Sequence, residues 1–465
     1  YYTNPISRPF GSYSASAVLM RMLARAEGSY SCSDAFALKT QEDFTNQFAN
    51  LYFSRLAQLG PLCEKAARRR WDDGLPLVKS LDAEPGETCL VIGTLYKEME
   101  GKPNVLKEQM RDALERRERE ANDNAVDKYC GAKDSLSLED ESGRVMIAGE
   151  ALEHGVLVTG AIIAVRGTLD DDGVLQVEGV CLPGLPPQPP LTEQPAEGDR
   201  YVAFVSGLNL GDSQQDMTHV MLLTEYLTGQ LGGDRDHKTQ ASIVRLIIAG
   251  NVMYDVSAAA KGSGSNNDVL RKKAAEDQRE LADRLHALDV FLTTVAAAMP
   301  IDVMPGAKDP CNFLMPQQPF HKCMLPQATR LSTLGLCTNP HACDIAGVSF
   351  LGTSGQPLDD MQKYLPGEDR LETLAQTLRF QHVAPTAPDT LGCYPFVTAD
   401  PFIMNECPRV YFAGNQPKYD SVEVKGDDGQ TARVIMVPDF AREHTCVLVN
   451  LRTLESSPIT FSGFD

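Results

Sequence analysis

Residues 183–199, "PGLPPQPPLTEQPAEGD", contain six prolines and no sustained apolar pattern. Each proline fixes φ and removes a backbone donor, so this stretch favours extended backbone that neither a helix nor a central strand can absorb. It divides the 465-residue chain into two parts with different hydrophobic rhythms. The expected organisation is an ill-defined arm over 1–41, a first domain over 42–182, a linker over 183–199 and a second domain over 200–465.

In the first part, "QFANLYFSRLAQLG" sets Phe48, Leu51, Tyr52, Arg55, Leu56 and Leu59 at helical spacing, and Gly60-Pro61 is expected to break the pattern. Five segments rich in β-formers follow, at 89–96, 134–140, 143–149, 157–169 and 174–182. The turn "DDDG" at 170–173 joins the last two as a hairpin. Five short strands with glycines at the bends fit a small β-barrel of the oligonucleotide/oligosaccharide-binding (OB) kind. The stretch near 100–127, including "KEQMRDALERREREANDN", is too charged for a core and reads as an exposed insertion.

Beyond the prolines, apolar strands alternate with helices. Strands are expected at 201–207, 243–251, 301–306, 347–353, 409–415, 433–439 and 445–451, with helices near 214–228 and within 268–298. Buried strands with helical crossovers argue an α/β sandwich, whose sites form at the carboxyl ends of the strands. No internal repeat is visible.

Four of these strands run into glycine-containing loops: "VSGLNLG", "IIAGN", "VMPGAKD" and "YFAGN". Two-metal phosphoesterases use such loops to supply Asp-x-His, Gly-Asp, Gly-Asn-His-Asp/Glu and Gly-His, because two divalent cations need a bridging carboxylate and several imidazoles. Here Ser206 and Leu208 stand where Asp and His would be, Asn251 replaces the bridging Asp, Lys308 falls at or beside the His position, and Asn415 replaces the last His. A neutral amide cannot offset charge between two metals, and an ammonium repels them. Asp309 alone remains as a hard ligand. No catalytic or metal residue is therefore expected in these loops, and none of the eight histidines lies in them.

Other motifs are sparse. No GxGxxG, P-loop, HExxH or GxSxG occurs, and the glycines of "SGLNLG" read as tight-turn positions. The twelve cysteines include no CxxC, which argues reduced thiols. The closest Cys/His groups, His321 with Cys323 and His341 with Cys343, lack the regular pairs of zinc sites and read as core thiols beside ordinary histidines. His382 and Asp389, within "QHVAPTAPDTLGCYPF", read as buried or turn-forming.

A net charge of −20 disfavours a grip on nucleic acid, and Arg68-Arg69-Arg70 reads as a solvated helix end. No apolar run is long enough to span a membrane, and the chain reads as soluble and not secreted. On the helix "DMTHVMLLTEYLTG", Met217, Val220, Met221, Leu223 and Leu227 form a stripe expected to face the sheet. Leu222 and Tyr226 form a pair roughly opposite, open either to a partner or to another part of the same chain.

The order of "VSGLNLG", "LIIAGN", "DVMPGAKDP", "LPQQPFHKCMLP", "FLGTSGQPLDDM", "APTAPDTLGCYPF", "DPFIMNECPRVYFAGN" and "ITFSGF" resembles the B-subunit family of replicative DNA polymerases, and within it the small (second) subunits of the eukaryotic delta class. The resemblance does not extend to the first forty residues or to 100–127. It implies an α+β multidomain fold, an OB-type barrel plus a calcineurin-like phosphodiesterase sandwich lacking its metal ligands. It further implies a nuclear, non-catalytic accessory subunit in DNA replication and repair. Such a chain tethers the C-terminal cysteine-rich domain of the polymerase delta catalytic subunit to a third accessory subunit. It can also serve the polymerase zeta catalytic subunit, and it carries no cofactor of its own.

Two other readings follow from the residues. One is a metallophosphoesterase or 3′–5′ exonuclease drawing ligands from Asp309, His321, His341, His382 and Asp389. The other is a single-strand-binding barrel, for which Tyr96 and Arg166 are the main candidates.

Overall fold

The computed structural model describes residues 23–38, 44–71, 74–102, 128–131, 133–152, 156–191, 198–211, 217–254 and 267–462. The expected charged insertion falls almost wholly at 103–127, outside the described residues.

The first element among the described residues is a short strand, β1 (Tyr30–Cys32), followed by a long helix, α1 (Ala49–Arg70). Leu51, Arg55, Leu59, Cys63 and Ala67 recur every fourth residue and form its buried stripe. The helix continues through Gly60-Pro61, where the sequence suggested a break. Pro61 and Ala57 are both exposed, so water can satisfy the Ala57 carbonyl that the proline leaves without a donor. At the far end Arg68, Arg69 and Arg70 lie where the last carbonyls carry partial negative charge.

Five strands then close into a barrel: β2 (Thr88–Glu98), β3 (Ser135–Glu139), β4 (Arg144–Ala148), β5 (Ile162–Leu169) and β6 (Val174–Cys181). Their order around the barrel is β2-β3-β4-β6-β5, with β4 and β6 parallel and the other pairs antiparallel. Val91, Leu95, Leu138, Ile147, Val165 and Leu175 fill the inside. Leu90, Ile162, Ala164 and Cys181 point outward, yet they are buried because Leu59, Cys63 and Ala67 of α1 cover them. The segment expected to start a strand at 157 does so only at Ile162. Residues before it loop over the barrel end, where the Gly160 N–H donates to the Leu95 carbonyl at 2.8 Å.

The proline-rich stretch is bound along its described length. The Gly184 N–H donates to Arg379 O at 3.1 Å, the Cys407 N–H donates to Pro187 O at 2.9 Å, and the Gln188 amide exchanges bonds with the Thr431 backbone at 2.7 and 3.1 Å. Residues 183–191 therefore act as a strap pressed against the second part of the chain.

That part contains β7 (Tyr201–Val205), α2 (Thr218–Leu227), α3 (Asp234–Ala241), β8 (Ile243–Ala249), α4 (Asn267–Ala296), β9 (Ile301–Met304), β10 (Leu334–Leu336), β11 (His341–Ile345) and β12 (Val348–Thr353). It continues with α5 (Gln356–Lys363), α6 (Arg370–Arg379), β13 (Val410–Gln416), β14 (Asp420–Lys425), β15 (Thr431–Pro438), α7 (Phe440–Glu443), β16 (Thr445–Asn450) and β17 (Ser456–Thr460). They build two six-stranded mixed sheets, β1-β11-β12-β13-β15-β14 and β10-β9-β8-β7-β16-β17. Phe204, Ile247, Phe350, Phe412, Ile435 and Val447 interdigitate between them. Helices cover the outer faces, so central strands such as "IVRLIIA" are buried on both sides and lose the alternation of a half-exposed strand.

The arm expected to be ill defined thus supplies an edge strand, with β1 antiparallel to β11. No helix among the described residues is long and apolar enough to cross a membrane.

Candidate functional site

The loops after β7, β8, β9 and β13 meet at the carboxyl ends of their strands. Gly207, at φ 65°, and Gly250, at φ 80°, permit the approach: a Cβ on the first would lie 2.6 Å from Asp439 Cγ, and one on the second 2.4 Å from Ser354 Cβ. The fully buried Ser206 donates its hydroxyl to Pro438 O at 2.9 Å and accepts the Asn415 N–H at 2.8 Å. The Asn415 amide donates to Ser354 O at 2.7 Å and to Ala249 O at 3.1 Å, stitching two loops together. Asn251 accepts the Lys308 N–H on Oδ1 at 3.0 Å. Both asparagines sit in the left-handed region, at φ 51° and 56°, which Asn tolerates better than most residues.

Asp309 is buried and committed to the backbone. Oδ1 accepts from the Met253 N–H at 3.0 Å and Oδ2 from the Gly306 N–H at 2.7 Å. Burial pushes its carboxyl up to about 6, against the pull of these donors. The Lys308 ammonium donates to Asn209 Oδ1 at 3.3 Å and lies in the field of Asp439. What converges here is a hydroxyl, amides, an ammonium and two carboxylates, Asp309 with both oxygens taken by backbone N–H groups and Asp439 beside Asn209 and Lys308. This arrangement knits the loops together.

Ser206, Asn251, Lys308, Asp309 and Asn415 come together as the sequence suggested, but Leu208 does not join them. It is fully buried among Val205, Leu210 and the apolar faces of the helices. The next residue, Asn209, faces Lys308 instead. Asp439 was also missed. It caps α7 by accepting the Ala441 N–H at 3.0 Å, and burial pushes its carboxyl up while Lys308 and Arg442 oppose the shift. An Asp directly before a short helical run was the available signal.

The five residues considered as unusual metal ligands are dispersed among other partners. His321 faces Cys323 at 2.8 Å on the surface, His382 bonds Asp400 at 2.8 Å in the interior, and Asp389 pairs with Lys102 at 2.5 Å. His341 lies between the sheets near Asp302. Among the described residues no three of the five form a common ligand set. The single-strand-binding candidates are likewise engaged: Tyr96 lies under the Arg144 guanidinium at 4.4 Å, and Arg166 pairs with Glu178 at 2.8 Å.

Of the two alternatives left open for the Leu222/Tyr226 pair on α2, the structure shows another part of the same chain covering it. Tyr226 is buried, packs edge-on against Phe461 with centroids 5.7 Å apart, and belongs to the core with Val220, Leu223 and Leu227; Leu222 is half-buried against it. The residues on the open side are Met217 and Met221, which the sequence assigned to the sheet. The buried stripe is turned from the expected one because Phe461, after the last strand, adds apolar surface on the Tyr226 side.

Open apolar surface concentrates elsewhere, on the first domain. Phe53 is 59% exposed and Leu81 62%, and a groove of about 590 Å³ runs between α1 and the barrel, lined by Phe53, Leu56, Pro61, Leu77 and Val78. Exposed aromatic and aliphatic side chains around a groove are the usual composition of a protein contact.

Residues 202–421 match the family model of the DNA polymerase alpha/epsilon B-subunit, and residues 47–180 match that of the DNA polymerase delta subunit OB-fold domain. The chain is 38% identical over 434 residues to a DNA polymerase delta small subunit of Arabidopsis thaliana, covering 93% of this chain and 95% of that one. It is 31% identical over 475 residues to the DNA polymerase delta small subunit of Saccharomyces cerevisiae, covering 92% of each. A DNA polymerase II small subunit of Pyrococcus furiosus is 23% identical over 303 residues, 63% of this chain and 47% of that one.

Proposed function

The chain belongs to the family of DNA polymerase delta small subunits, replication accessory subunits, and from that premise we propose that it acts as a scaffold and performs no chemistry itself. Its first domain is the delta OB-fold domain and its second a mixed-sheet α/β domain. In this reading the second domain is a phosphodiesterase-like sandwich whose centre has become structural. The observation that carries it is the loop after β9: both Asp309 oxygens accept backbone N–H groups, and Lys308 directs an ammonium to Asn209. A two-metal centre needs several free carboxylates and imidazoles at that point.

The scaffold joins the cysteine-rich C-terminal domain of a delta catalytic subunit to a third accessory subunit, in the nucleus, during replication and repair. A polymerase zeta catalytic subunit is a further partner of the same kind. The exposed apolar groove along α1 supports a role in binding protein. The net charge of −20 favours protein partners over direct contact with a phosphate backbone.

Affinity capture of the tagged chain from cells of its own source, read by mass spectrometry, tests the proposal. Recovery of a delta-type catalytic subunit and a further accessory chain in comparable amounts is expected. Recovery of the chain without either would overturn the scaffold reading.

A further inference from the structure

β1 lies along the sheet edge so that Cys32 stands directly opposite Cys343 of β11. Neighbours in an antiparallel pair share a face, and Cys343 and His341 on that face point between the two sheets. There the thiols of Cys32 and Cys337 and a ring nitrogen of His341 lie within 4.8 Å of one another, as do donor atoms of His341, Cys343 and Asp302. Two triads share one imidazole.

That imidazole is unusual. His341 has no solvent exposure, and neither ring nitrogen has a hydrogen-bond partner. Asp302 is also fully buried, with Oδ2 unpartnered and 3.6 Å from His341 Nε2. A buried polar atom left without a partner is costly, so three of them side by side call for a ligand. Asp302 Oδ1 is held by the Arg245 guanidinium at 2.7 Å, which itself lies 3.4 Å from the centre of the Tyr30 ring. The carboxylate is thereby charge-balanced without help from the cluster.

We propose that Cys32, Cys337, Cys343 and His341 hold a structural zinc ion that fastens the N-terminal arm to the sandwich. Three sulfurs and an imidazole are a soft donor set suited to zinc. Zn–S and Zn–N bonds in a tetrahedron separate donors by about 3.3–3.8 Å, so the two triads, which share His341 but do not form one set of four within 4.8 Å, must close around the ion, with Cys343 moving toward Cys32 and Cys337. Asp302, facing the ring at Nε2, then orients the imidazole as a carboxylate behind a metal-bound histidine does. The ion departs from the expectation of a cofactor-free chain. Sequence spacing concealed the site because its cysteines come from the arm, the β10–β11 turn and β11.

The test is zinc content of the full chain, expressed with added zinc and exchanged into metal-free buffer. The expected result is about one zinc per chain, lost in Cys32→Ser and retained in Cys323→Ser, whose thiol lies on the surface beside His321. Cys32 is an exposed edge residue, so an unchanged circular dichroism spectrum should accompany the loss. The proposal fails if the parent protein holds no stoichiometric zinc after zinc addition, or if Cys32→Ser retains it. A metal-free parent with an intact mass two hydrogens lighter, showing a disulfide instead, also overturns it.

Discussion

The Nε–H of Arg55 donates to Asp400 Oδ2 at 2.8 Å, and both side chains are completely shielded from solvent. Arg55 comes from α1 and Asp400 from the second domain. The remaining guanidinium donors reach Gly160 O at 3.0 Å on the barrel, and Pro385 O and Ala387 O at 2.8 Å on the second domain. One side chain therefore bolts helix, barrel and sandwich together, and its pairing explains how a buried arginine is tolerated.

Removing that bolt should be costly. Arg55→Ala leaves Asp400 as an uncompensated buried charge and strips three carbonyls of their donors, so a loss of about 3–5 kcal/mol is expected. Urea unfolding of the two proteins checks this. A midpoint equal to the parent's would contradict it.

Acid should loosen the same junction. Burial, then the charge of Arg55, lowers the His382 pKa to about 4. Its Nδ1 accepts the Ala384 N–H at 3.1 Å, which leaves Nε2 to carry the proton toward Asp400. The unfolded chain takes up a proton on this ring near pH 6.5, so the contribution is complete above about 6.5 and is lost as pH falls through about 4. Asp400 has the same sign: burial opposes its charge, but His382 and Arg55 outweigh that and hold its pKa well below the usual range. Asp309 has the opposite sign, with stability present below about 3.8 and lost as pH rises through about 6. The clean measurement is thus a difference. Relative to the parent, His382→Gln should remove on the order of 3 kcal/mol of pH dependence between about pH 6.5 and 4. Parallel curves for the two proteins would refute the assignment.

At the loop junction, Asn415→Ala loses two amide donors and must hold a left-handed backbone, whereas Asn415→Gly loses only the donors. Both should destabilise, and alanine should be worse than glycine by about 1–2 kcal/mol. Thermal unfolding that ranks them in the reverse order would show that the left-handed backbone at this position costs alanine nothing.

On α2, Tyr226→Ala should cost roughly 3–5 kcal/mol, as for other large aromatic truncations in a core, while Met221→Glu should stay within about 0.5 kcal/mol. Denaturation midpoints distinguish this from a partner-facing Tyr226. A neutral Tyr226→Ala would favour the partner-facing alternative instead.

What the sequence disclosed was what repeats locally. The i,i+4 stripe of α1 from Leu51 to Ala67 and the apolar runs of β7, β8 and β13 state their own burial, and four strands ending in glycine loops announce a junction without naming its neighbours. Pro61 misled because a proline's cost depends on which face it occupies, and an outward face keeps water on the Ala57 carbonyl. Tyr226 stayed open because the surface that covers it, Phe461, comes from the end of the chain. Strands β11, β14 and β17 are short or carry polar residues, so pairing rather than pattern makes them strands. Arg55–Asp400 and the Cys32–Cys337–His341 cluster are contacts between distant segments, and the place of Asp439 beside Gly207 and Asn209 is another, though its capping of α7 is local. No local period encodes them.

The central claim, that this chain works by joining proteins, is tested most directly by coexpression with the cysteine-rich C-terminal domain of a delta-type catalytic subunit. Size-exclusion chromatography with light scattering at micromolar concentration should give one species containing both chains in equal numbers. Two chains eluting separately, each at its own mass, would contradict the account.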